Sequence, residues 1–90
     1  MTPEARVKLE IKNWLKDQGA YFFMPVQTGY GSTTLDFLAC LRGRFIGIET
    51  KRKGVLNPTP RQRVTMDNIT AAGGDAYCVD SLASLLDQMP

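Results

Sequence analysis

Near the N-terminus, Val7, Ile11, Trp14, Leu15 and Gln18 fall on one stripe at helical spacing. Thr2-Pro3 supplies an N-cap with proline at the first helical position, and Gly19 ends the helix. The aromatic and apolar run from Tyr21 to Val26 predicts a strand closed near Pro25. Gln27 to Thr33, with Gly29, Tyr30 and Gly31, predicts a loop. Leu35 to Leu41 and Arg44 to Thr50 predict two further strands around an Arg42-Gly43 turn. Lys53 to Pro60 is a loop containing Gly54, Asn57 and Pro58. Thr59-Pro60 repeats the Thr-Pro start, for a helix to about Ala72 that Gly73-Gly74 stops. Ala76 to Val79 is a short strand, and Asp80-Ser81 caps a last helix carrying Leu82, Leu85, Leu86 and Met89. The order α-β-β-β-α-β-α predicts an α/β fold with one sheet flanked by helices.

Bulk properties narrow the function. The 90 residues suit one domain, and 43% hydrophobic content allows a modest core. No apolar run approaches the ~20 residues needed to span a bilayer. The charged start, Met-Thr-Pro-Glu, is unlike a secretion signal, so the expectation is a cytoplasmic protein with Cys40 and Cys78 as reduced, packed thiols. Without histidine, two separated cysteines cannot complete a structural zinc site. A metal here would need oxygen ligands, which favours magnesium or manganese. The net charge is only +2, yet Arg42, Arg44, Lys51, Arg52, Lys53, Arg61 and Arg63 cluster against the single acid Glu49. After Val64 come four aspartates and no base. That asymmetry suits either a polyanion-facing surface or a solvated rim.

The hairpin concentrates the chemistry. With Arg42-Gly43 as a two-residue turn, Leu41 faces Arg44, and stepping back along both strands sets Asp36 against Glu49 on one face. Lys51 shares that face because strand side chains alternate. Like charges placed opposite one another destabilise a sheet unless a cation lies beside them. Glu49-x-Lys51 alone reads as an ordinary salt bridge. The opposed Asp36, the glycine-rich loop before it and the basic loop after it make the group a candidate site.

The stretch Gly31-Ser32-Thr33-Thr34-Leu35-Asp36-Phe37, the Arg42-Gly43-Arg44 turn and the strand Ile46-Gly47-Ile48-Glu49-Thr50-Lys51 resemble the core of the PD-(D/E)xK nuclease superfamily. Thr59-Pro60-Arg61-Gln62, the following helix and Ala72-Gly73-Gly74 resemble the VRR-NUC family specifically, in its stand-alone, phage-type form. The likeness covers nearly the whole chain, including Glu4 and Trp14-Leu15. It implies a restriction-endonuclease-like core with a mixed sheet, as one VRR-NUC-like domain over 1–90. By this resemblance Asp36 and Glu49 ligate metal, with the Thr50 carbonyl and Glu4 as further ligands, and Lys51 orients or deprotonates the attacking water. Gln62 corresponds to a glutamine that points into the same site. Two departures stand out: Leu35 replaces the usual proline, and Lys8 stands where glutamine is frequent.

The function this implies is a Mg2+- or Mn2+-dependent endodeoxyribonuclease. Arg52, Lys53, Arg61 and Arg63 would lie along the DNA. Kinship to Holliday-junction resolvases implies branched DNA as substrate and a homodimer as the active form. The setting would be the cytoplasm of a bacterial or phage-infected host cell. The alternatives are a non-catalytic DNA-binding module of the same fold and a restriction-type endonuclease. The latter has little chain beyond the core with which to read bases.

Overall fold

The computed structural model describes residues 1–26 and 34–90; the expected glycine-rich loop, with Tyr30, lies outside them. The described residues form α1 (Pro3–Asp17), β1 (Tyr21–Phe23), β2 (Phe37–Leu41), β3 (Arg44–Thr50), α2 (Pro60–Ala71), β4 (Asp75–Val79) and α3 (Leu82–Gln88). This is the order the hydrophobic pattern predicts. The sheet runs β1-β2-β3-β4, with the first two pairings antiparallel and β3-β4 parallel. A parallel pair needs a crossover, and α2 provides it.

Local signals set most boundaries. The Thr2 hydroxyl accepts from the Ala5 amide, and Gly19 takes the left-handed backbone (φ 71°) past the end of α1. Arg42 and Gly43 both have positive φ, 50° and 80°, the conformation of a tight hairpin turn that matches strand twist. An arginine there is held from outside, because its guanidinium donates to Gln18 Oε1 at 2.7 Å. The register is the expected one, Leu41 against Arg44 through Phe37 against Ile48. Two strands are shorter than the pattern suggested. β1 ends at Phe23, and β2 begins at Phe37 because the chain bends at Asp36.

Side chains alternate between two cores. One face carries Phe37, Ala39, Leu41, Ile46, Ile48, Tyr77 and Val79 against Val7, Ile11 and Leu15 of α1 and Leu85 of α3. The other face packs Leu35 and Cys78 against Met66 and Ile69 of α2. Residues 46–50 of β3 are buried throughout, as a strand covered on both faces must be. Cys78 is packed as expected, but Cys40 is exposed, because α2 contacts only β3 and β4 on its face of the sheet. Tyr21, Phe23 and Phe45 are 85%, 60% and 48% exposed around it.

Gly74 marks a close approach between β4 and β3. A Cβ there would lie 2.9 Å from the Phe45 carbonyl oxygen, which is backbone and cannot step aside. Gly74→Ala is therefore expected to lower stability by about 1–3 kcal/mol, read as a fall in melting temperature.

Candidate active site

The site lies where β3 ends. Three elements bring side chains there: α1 its first two turns, α2 its first turn, and the β2–β3 hairpin the chain on either side of its open end. One carboxylate oxygen each from Glu4, Asp36 and Glu49 lies within 4.8 Å of the others. Glu4 comes from the exposed first turn of α1, whereas Asp36 and Glu49 are buried, 9% and 4% exposed.

Asp36 stands one residue beyond the last paired position of β2. The bend there turns its side chain toward Thr50, and Oδ2 accepts from the Thr50 amide at 2.9 Å and the Thr50 hydroxyl at 2.7 Å. Neither donor was legible as a site contact, since the sequence suggested only the Thr50 carbonyl. Thr50 is fully buried, so these two hydrogen bonds also satisfy polar groups that would otherwise be costly. The other oxygen, Oδ1, lies 3.6 Å from the Lys8 ammonium.

Glu49 is held from two sides. Lys51 Nζ lies 3.5 Å from Oε2, and Gln62 Nε2 donates to the same oxygen at 3.0 Å. The orientation of the Gln62 amide follows from its neighbours. Gln62 Oε1 accepts from the Thr59 amide at 2.9 Å, closing the capping box that starts α2, so Nε2 must point to the carboxylate. One residue thus starts the helix and aims at Glu49. Burial, then the charge of Asp36, pushes the Glu49 carboxyl up from an ordinary 4.5 to about 7 despite the opposing pull of Lys51. A hard divalent cation would relieve that repulsion, and an all-oxygen donor set of this kind fits one.

The basic residues divide between the two ends of the sheet. Arg52 and Lys53 follow Lys51 on an exposed loop, tethered where the Gly54 amide donates to Asp80 Oδ2 at 2.9 Å. Arg61 and Arg63 flank Gln62 at the start of α2 and are exposed. Arg42 and Arg44, by contrast, sit at the hairpin tip, about 20 Å along β3 from the site. Arg44 pairs there with Asp75 at 2.7 Å. The cluster seen in the sequence is therefore two groups, of which only the second half flanks the carboxylates. Lys8 is the contact that sequence reasoning left without a role; its spacing of one helical turn from Glu4 is the signal that it shares Glu4's face.

No protein-family model matches the chain, and no curated protein matches it. Among solved structures it is similar to a VRR_NUC domain, with a TM-score of 0.81 over 100% of both chains at 22% identity. The fold is that of a VRR_NUC domain. Among the described residues no helix is long and apolar enough to cross a membrane.

Proposed function

We propose that this chain is a VRR-NUC family nuclease, a single domain that hydrolyses DNA phosphodiester bonds with a divalent metal, Mg2+ or Mn2+. The observation that carries this reading is the meeting of Glu4, Asp36 and Glu49 with Lys51 and Gln62 at the end of β3. Asp36, Glu49 and Glu4 hold the metal, joined by the Thr50 carbonyl. When bound, a divalent ion neutralises phosphate oxygens and acidifies water.

The chain's own groups do the rest. Lys51, as an ammonium, orients the attacking water and offsets charge on the phosphate. Gln62 fixes Glu49 in place through an amide that cannot rotate without breaking the helix cap. Thr50 fixes Asp36 in the same way. Arg52, Lys53, Arg61 and Arg63 bind the DNA backbone beside the site, and the first turn of α2 adds partial positive charge.

Branched DNA is the proposed substrate and a homodimer the proposed active form, working in the cytoplasm of a bacterial or phage-infected host cell. The exposed Tyr21, Phe23 and Phe45 support a second copy covering the bare sheet face. The test is incubation with a four-way junction and a matched linear duplex, in Mg2+, Mn2+ and EDTA. Paired nicks across the junction, absent in EDTA, are expected. Failure to cut either DNA in either metal would overturn the reading, and equal cutting of both would remove the branch preference.

A further inference from the structure

Lys8 is the cation that the proposed mechanism does not use. Its ammonium stands 3.6 Å from Asp36 Oδ1. The other oxygen, Oδ2, already accepts two hydrogen bonds, from the Thr50 amide and hydroxyl. A carboxylate oxygen has lone pairs for about two donors, so Oδ1 is the oxygen of Asp36 left for a cation. Lys8 therefore stands at the one oxygen through which Asp36 can act as a ligand.

Charge makes the same point. With every group ionised, the three carboxylates of Glu4, Asp36 and Glu49 and the one ammonium of Lys51 sum to −2, which a single divalent ion matches. Lys8 brings the group to −1, so an ion entering beside it would leave a surplus positive charge in a half-buried site. The two lysines also differ in freedom. The Lys51 side chain is 15% exposed and fixed over Glu49, whereas that of Lys8 is 37% exposed. The stem of Lys8 lines an apolar groove with Ala5, Leu9 and Met24, and its ammonium can turn out to water while the stem keeps that contact.

Resting on the metal-dependent reading above, we propose that Lys8 is a built-in stand-in for the metal. It offsets the charge of Asp36 in the metal-free protein and swings away when a divalent ion takes Oδ1. Lys8 thereby sets the affinity of the centre for its ion. Because ammonium and ion compete for one oxygen, whatever Lys8 adds to metal-free stability is subtracted from metal binding.

The experiment is calorimetric titration of the full chain with Mn2+ at pH 8 without DNA, beside melting curves in EDTA and in saturating Mn2+. Lys8→Met, which keeps an apolar stem, is expected to bind Mn2+ about five- to tenfold more tightly than wild type, and Lys8→Arg within about twofold of it. In EDTA the methionine variant should melt roughly 5–10 °C lower, and in Mn2+ the gap should close. Lys8→Gln provides a second neutral variant should the methionine variant fold poorly, with the same expectations. In the carbon spectrum of lysine-labelled protein, the ε-carbon resonance missing from Lys8→Arg identifies Lys8. Saturating Mg2+ should move that resonance to the position of a solvated lysine. Unchanged or weaker Mn2+ binding in both neutral variants, equal tightening in Lys8→Arg, or a Lys8 resonance that Mg2+ leaves in place would each overturn the proposal while the metal-dependent reading survives. A role limited to holding α1 on the sheet would keep the melting gap in Mn2+ and leave the affinity unchanged. If neither wild type nor the neutral variants bind Mn2+, the metal-dependent reading itself fails and the proposal with it.

Discussion

Lys51→Ala is expected to lower DNA cleavage by about a hundred- to ten-thousandfold, with the fold intact and DNA binding largely kept. The range is that of a positioned proton-transfer or charge-stabilising group. Lys51 is mostly buried, its side chain 15% exposed, and its ammonium points at Glu49 Oε2 rather than into solvent. Alanine cannot replace that charge, and water entering the gap would not be oriented. Glu49→Gln should be equally damaging by another route, since it leaves a neutral ligand beside Gln62 and unbalances the Lys51 charge. The measurement is the single-turnover rate on a junction substrate with saturating Mn2+. Cleavage within a factor of a few of wild type in the Lys51 variant would remove this residue from the chemistry.

In metal-free buffer, stability should fall as pH rises from about 5 to 8. Glu49 titrates near its ordinary 4.5 in the unfolded chain and about 7 in the folded one. Below the lower value the group is neutral in both states and costs nothing. Above the upper value it is charged in both, and the folded state carries the cost of a buried carboxylate facing Asp36. Stability present at low pH is thus lost as pH rises through about 7, by at most about 3 kcal/mol. For a chain this size that is a fall of roughly 10–20 °C in melting temperature. Glu49→Gln should flatten the profile, and Mn2+ added at pH 8 should restore wild type. Parallel profiles for wild type and variant would show that Glu49 is not the group responsible. Asp36→Asn is not equivalent, because neutralising Asp36 forfeits the Lys8 ion pair beside the two Thr50 hydrogen bonds.

The sequence by itself determined the elements and their order. Thr-Pro starts and glycine stops bound the helices α1 and α2, because caps and left-handed residues act locally. The two-residue turn fixed the β2–β3 register from Leu41 against Arg44 to Phe37 against Ile48. The expected pairing of Asp36 with Glu49 does not form, and Asp36 reaches the cluster through the bend before β2. Gln62 could be placed at the site only by family likeness, since a capping glutamine looks alike wherever its second hydrogen bond goes. Tertiary structure decided the rest. Leu35 and Asp36 left the strand because the chain bends to bury Leu35 beneath α2, which no alternation pattern encodes. Thr50 became a double donor through that bend. Cys40 stayed exposed because α2 reaches only half the sheet face, and Arg44, at the far end of β3 from the site, found its partner in Asp75, far along the chain. Lys8 met Asp36 only through the packing of α1 on the sheet. Periodicity and caps act within a few residues, whereas contacts between separate elements depend on how their faces pack, and that is where this chain assembles its carboxylates and their cations.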